Sequence, residues 1–137
     1  MADDVVLNKA ASIERCLNRI QDEFGGEDKN LFYNQTKQDA IVLNLQRACE
    51  TAIDLAMYVV SQRKLGIPQD SRDAFALMDT AGLLPHDLTV RMQRMVGFRN
   101  VAVHDYARLN LAVVKAIVTD HLDDFRGFSS AIVRALG

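Results

Sequence analysis

The sequence predicts an all-α fold, an antiparallel bundle of about five helices, and three observations carry that prediction. Apolar residues recur at helical spacing through long stretches. Chain breakers are scarce, with 2 Pro and 7 Gly in 137 residues. No segment shows the period-two alternation of a strand, and the connections are short enough to set successive helices antiparallel. The length fits one domain, taken as residues 1–137, and a hydrophobic share of 49% supplies one core. There is no internal repeat, low-complexity tract or linker.

The first helix is expected over residues 3–24, where Val6, Ile13, Leu17, Ile20 and Phe24 form a stripe between charged residues. Gly25 and Gly26 end it, and the polar stretch to Asn30 reads as a loop. The second runs over residues 34–64. Ile41, Leu45, Ala48, Ala52, Leu55 and Val59 make one stripe, with Val42, Cys49, Ile53, Ala56 and Val60 beside it. So wide an apolar band calls for neighbours on two sides and a central position. Gly66-Ile67-Pro68 stops it.

Asp70 or Ser71 can cap a short third helix through Phe75, Leu77 and Met78, closed by Gly82. Pro85 suits the first turn of a fourth, which carries Leu88, Met92, Met95 and Val96 toward His104. A fifth begins near Asn110 and continues nearly to the end. Its stripe is Leu111, Val114, Val118, Leu122, Phe125 and Ile132.

A formal net charge of -2 excludes a uniformly basic surface and general coating of nucleic acid. The charge is uneven, however. Seven acids face four bases in residues 1–30. In residues 88–108, Arg91, Arg94, Arg99 and Arg108 face only Asp105. That second region can meet an anion, or it can be a plain solvated helix face. Cys16 and Cys49 form no CxxC and sit among apolar helix formers, so they read as buried thiols in a reducing compartment. No signal segment opens the chain and no apolar run spans a bilayer, which gives a cytoplasmic protein with no membrane role.

The chemistry concentrates in Gly97-Phe98-Arg99-Asn100-Val101-Ala102-Val103-His104-Asp105-Tyr106. On a helix of ~100° per residue with Arg99 at zero, Asn100 falls at ~100°, His104 at ~140° and Tyr106 near ~-20°. Asn100 and His104 are an i,i+4 pair, and the long Arg99 side chain can reach their rim. A groove beside this helix would meet a cation, an amide, an imidazole and a phenol together.

That set suits RNA cleavage without a metal. The reaction removes a proton from a ribose 2′-hydroxyl and gathers charge on a five-coordinate phosphate. An imidazole titrates near pH ~6.5 and can take or give the proton. A guanidinium forks onto two phosphate oxygens and stays charged. Asn100 can hold the histidine or a phosphate oxygen. The plain alternative is a His104 that caps helix carbonyls and an Arg99 that pairs with Asp105 or an acid elsewhere.

Arg99, four residues, His104, one residue and Tyr106 match the Arg-x4-His-x-Tyr pattern, and here the chain resembles the HEPN domains of the HepT-like toxin family. Other matching segments are Gln38-Asp39-Ala40-Ile41, Asn44-Leu45-Gln46-Arg47-Ala48-Cys49-Glu50, Ile53-Asp54-Leu55-Ala56, Leu65-Gly66-Ile67-Pro68 and Met95-Val96-Gly97-Phe98-Arg99-Asn100. The resemblance covers most of the chain and is weakest over the first thirty residues. It implies a homodimeric HEPN-like bundle whose two Arg/His motifs face each other across a cleft. It implies a metal-independent endoribonuclease acting as the toxin of a toxin–antitoxin pair. The partner would be an MntA-type nucleotidyltransferase antitoxin that transfers AMP to the motif tyrosine, Tyr106. AMP there would place bulk and negative charge beside Arg99 and block the anion site. Glu50 and Asp54 match family positions, where they either buttress Arg99 or His104 or form structural ion pairs.

In this reading Arg99 and His104 are the catalytic pair, Asn100 and Tyr106 support or position RNA, and no cofactor or metal is implied. Transfer RNA and messenger RNA are both open as substrates. The rival is a non-catalytic helical module that docks a nucleotidyltransferase partner or binds nucleotides. Other candidates carry less. His86 follows Pro85 at a helix start and should be exposed. His121 with Asp120 and Asp124 is one imidazole and two acids on a helix face, a common surface pattern rather than a metal set. Met92 and Met95 read as packing residues.

Overall fold

The computed structural model describes residues 3–136. Among them are seven α-helices and no strand: α1 (Asp4–Phe24), α2 (Asp28–Phe32), α3 (Gln35–Gln62), α4 (Ser71–Thr80), α5 (His86–His104), α6 (Leu111–Asp120) and α7 (Leu122–Leu136). A 3₁₀ turn, Tyr106–Arg108, joins α5 to α6.

The all-helical class is as the sequence reads, and the count differs at two places. The stretch after Gly26 is not wholly a loop. Residues 28–32 close one helical turn because Leu31 buries completely, and Gln38 Nε2 donates to its carbonyl at 2.9 Å. The expected fifth helix is two. His121 leaves helical geometry (φ -125°, ψ 3°), and α7 starts afresh with Asp124 set against α5. Arg91 Nε donates to Asp124 Oδ1 at 2.9 Å, an ion pair that the straight helix had not anticipated.

Capping fixes the other boundaries. The Asp3 carboxylate accepts from the Val5 and Val6 amides at 2.9 and 3.3 Å, and Tyr58 on α3 donates to its second oxygen at 2.8 Å. One residue thus starts α1 and ties it to α3. Gly25 ends α1 in the left-handed region (φ 57°), which favours glycine. Asn34 caps α3 through the Lys37 amide, and Asp70 caps α4 through the Asp73 amide. Pro85 stands just before α5 as its cap rather than inside its first turn.

At 28 residues, α3 is ~42 Å long. It packs against α1, α2, α4, α5 and α7. Both expected stripes are buried along it, which accounts for its central place. Phe75 of α4 and Phe128 of α7 meet edge to face at 5.4 Å between ring centres, and both are fully buried. That contact ties the short α4 to α7, while α4 also packs along α5. No described helix is long and apolar enough to cross a membrane.

Candidate active site

The second half of α5 builds the site. Met95, Phe98 and Ala102 bury and fix which face of the helix meets the core. Asn100, Val103 and His104 are left exposed, and Arg99 lies half-buried between the two environments.

Arg99 Nε donates to Asn100 Oδ1 at 3.0 Å, so the guanidinium is turned toward the face that Asn100 and His104 share. Its charge also reaches α3. Burial pushes the Cys49 thiol far above the ordinary range, and Arg99 is the largest influence opposing that shift. None of the three acids weighed as partners is bonded to Arg99. Asp105 pairs with Arg108 at 3.3 Å, Asp54 faces Lys9 at 4.0 Å, and Glu50 accepts from Gln46 at 3.0 Å. Glu50 and Asp54 thus make contacts within α3 and to α1, and neither forms a hydrogen bond or ion pair with Arg99 or His104 among the described residues.

His104 is the last residue of α5, and its imidazole is open to solvent.

Tyr106 does not lie where the helical wheel puts it. The helix ends at His104, Asp105 departs at φ -153°, and Tyr106 enters the 3₁₀ turn. Its hydroxyl crosses to α3 and donates to Asp39 Oδ1 at 2.8 Å, an oxygen that also accepts from Gln35 Nε2 at 2.8 Å. Partial burial, followed by the Asp39 bond and its charge, pushes Tyr106 up to about 12. The side chain stays 42% exposed, so the ring remains reachable while its hydroxyl is held neutral. Asp39 is the site residue that sequence reasoning missed. Its segment is among the matching ones, but nothing in the spacing links it to a tyrosine 67 residues away.

Two depressions flank α5. A groove of about 600 Å³ runs between α5 and α6 over Phe98, Val101, Val113 and Ile117, with Arg94 and Arg108 on its rim. A cleft of about 110 Å³ opens on the other side, where Asp70, Ser71 and Arg72 at the start of α4 meet Val96, Arg99 and Asn100. The other candidates fall elsewhere. His86 Nδ1 sits 2.7 Å from Asp79 on an exposed surface. His121 lies 3.1 Å from Asp124, whose other oxygen already holds Arg91, and no described group of three His, Cys, Asp or Glu could hold a metal. Met92 and Met95 are core residues.

Chemically the α5 rim offers a fixed cation, an amide bonded to it and an accessible imidazole. Together these can bind a phosphodiester and move a proton at neutral pH.

Comparison with known proteins identifies the family. The family model described as ribonuclease HepT-like matches residues 13–132. The chain is 45% identical over 130 residues to the mRNA nuclease HepT of Shewanella oneidensis, covering 95% of this chain and 97% of that protein. It superposes on a solved structure of the tri-AMPylated Shewanella oneidensis HEPN toxin in complex with MNT antitoxin. The TM-score is 0.90 at 45% identity, over 95% of this chain and 97% of that one. A toxin–antitoxin structure with AMP-PNP matches with a TM-score of 0.90 at 44% identity, over 95% of this chain and 98% of that one.

Proposed function

Because the chain belongs to the ribonuclease HepT-like family, we propose that it is a metal-independent endoribonuclease, the toxin of a toxin–antitoxin pair, working as a homodimer in the cytoplasm. The observation that carries this is the α5 rim. Arg99 is turned onto Asn100, has no carboxylate partner among the described residues, and shares an exposed edge with His104.

In the reaction, His104 takes the proton from a ribose 2′-hydroxyl, and that oxygen attacks the adjacent phosphorus. Arg99 holds the non-bridging oxygens as negative charge gathers there, and Asn100 keeps the guanidinium in place. The 5′-oxygen leaves with a proton. In a dimer whose motifs face each other, the second copy's imidazole is placed to give it. General acid–base help of this kind supplies ~10²–10⁴-fold. Messenger RNA is the first substrate to test, given the name of the Shewanella relative.

The dimer reading is supported by the groove between α5 and α6. Val101, Val103 and Val113 stand 40–47% exposed on and beside it, apolar surface that a second copy would cover. Control by a nucleotidyltransferase antitoxin acts through Tyr106. AMP on its hydroxyl would replace the bond to Asp39 and set bulk and negative charge just past the end of α5 that carries His104, competing there with RNA.

Expression in a heterologous host tests the whole reading. Growth arrest is expected from the wild type, with none from Arg99→Ala or His104→Ala. Co-expression of an MNT antitoxin should restore growth while AMP appears on Tyr106 by mass spectrometry. Arrest that persists in both variants would overturn it.

A further inference from the structure

Gly97 sits in the interior of α5, where glycine weakens a helix. Its backbone is ordinary helix and needs no glycine. What stands beside it is the mobile end of one side chain, which an added methyl would push aside. A Cβ built there would stand 2.9 Å from an Nη atom of Arg72, which reaches across from α4. Arg72 Nε donates to the Gln93 carbonyl at 3.2 Å, and Gln93 Nε2 donates back to the Arg72 carbonyl at 3.1 Å. This reciprocal pair holds the Arg72 guanidinium beside α5. Gln93, Gly97, Asn100 and His104 fall along one face of that helix, so Arg72 lies on the line that leads to the motif.

Arg72 also lines the small cleft that Arg99 and Asn100 line. Neither arginine pairs with a carboxylate among the described residues. The one acid in the cleft, Asp70, is turned to the Asp73 amide as the cap of α4. Two cations therefore face one acid that is already engaged. Ser71 lines the same cleft.

We propose that this cleft is a phosphate subsite for the RNA strand, in which Arg72 holds a phosphodiester next to the one being cut and Gly97 is kept small to admit it. The subsite rests on the ribonuclease reading above. Arg99 would serve the scissile phosphate and Arg72 its neighbour, which fixes the strand's register along α5. Arg72 is thus a positioning residue that touches substrate away from the reacting atoms.

The test measures binding of a labelled single-stranded RNA, over a range of salt, to His104→Ala protein that cannot cut it. Arg72→Ala should weaken Kd about five- to tenfold. It should also reduce the slope of log K against log salt by ~0.7, the share of one phosphate contact on a single strand. Gly97→Ala should reproduce both losses by displacing Arg72, while its melting temperature holds or rises. The Arg72→Ala, Gly97→Ala double variant should be no worse than either alone. In active protein, Arg72→Ala should raise KM far more than it lowers kcat.

An unchanged Kd and salt slope in Arg72→Ala would overturn the subsite while leaving cleavage by the wild type intact. Additive losses in the double variant would overturn the role of Gly97. Dependence of free AMP binding, but not RNA binding, on Arg72 would assign the cleft to a mononucleotide and overturn the proposal. Wild-type protein that neither binds nor cuts RNA would overturn the ribonuclease reading and the subsite with it.

Discussion

Replacing Asp39 by Asn isolates the contact that holds the motif tyrosine. The native bond runs from the Tyr106 hydroxyl to Asp39 Oδ1 at 2.8 Å. Hydrogen bonds to charged groups are worth ~1.5–3 kcal/mol when sheltered. Here both side chains are largely exposed, so ~0.5–1 kcal/mol is the expected cost, or a melting shift of ~2–5 °C. The titration gives a sharper signature. Partial burial and Asp39 together push Tyr106 up to about 12. The neutral phenol is the form that Asp39 holds. Its contribution is fully present below the unfolded tyrosine value of ~10 and is lost as pH rises through about 12. Asp39→Asn removes the charge and keeps the burial and a neutral acceptor, so ionisation should fall part of the way back. With 3 Tyr and no Trp in the chain, Tyr33→Phe and Tyr58→Phe leave Tyr106 as the sole phenol for an absorbance titration. Tyr106 ionising near ~10 in both backgrounds would mean that the bond does not form in solution, and the account of the held hydroxyl would fail.

Phe75→Ala should cost ~3–5 kcal/mol, because the ring is fully buried and loses its edge contact with Phe128. A lower denaturant midpoint at constant slope would report it. Asn34→Ala removes the cap of α3 and should cost ~1 kcal/mol by the same assay. Arg99→Lys keeps the charge and loses the fork, so kcat for RNA cleavage should drop well below wild type; equal activity would show that a point charge suffices.

The helical class, the central α3 and the α4 and α5 segments are legible in the sequence because each is written locally, in apolar period and caps. Val6, Ile13, Leu17, Ile20 and Phe24 bury as their spacing requires. What escapes the sequence is set by contacts between distant elements. The break at His121 has no glycine or proline to announce it, and Asp124 meets Arg91 from 33 residues away. The turn of α2 depends on burying Leu31 beneath α3. At the site, Arg99, Asn100 and His104 lie on one helix, so local geometry placed them. Tyr106 lies past the end of that helix, where a wheel no longer applies, and its partner Asp39 is on α3. For Glu50 and Asp54 position alone left open a role beside the motif or a structural ion pair, and the structure shows contacts to Gln46 and Lys9.

The most direct test of the central claim is cleavage of total cellular RNA by the purified protein in EDTA, with Tyr106 shown unmodified by mass spectrometry, beside Arg99→Ala and His104→Ala. The account predicts discrete fragments from the wild type, and a loss of ~10²–10⁴-fold in rate for His104→Ala. An unmodified wild type that leaves RNA intact, or a His104→Ala protein that cuts as fast, would contradict it.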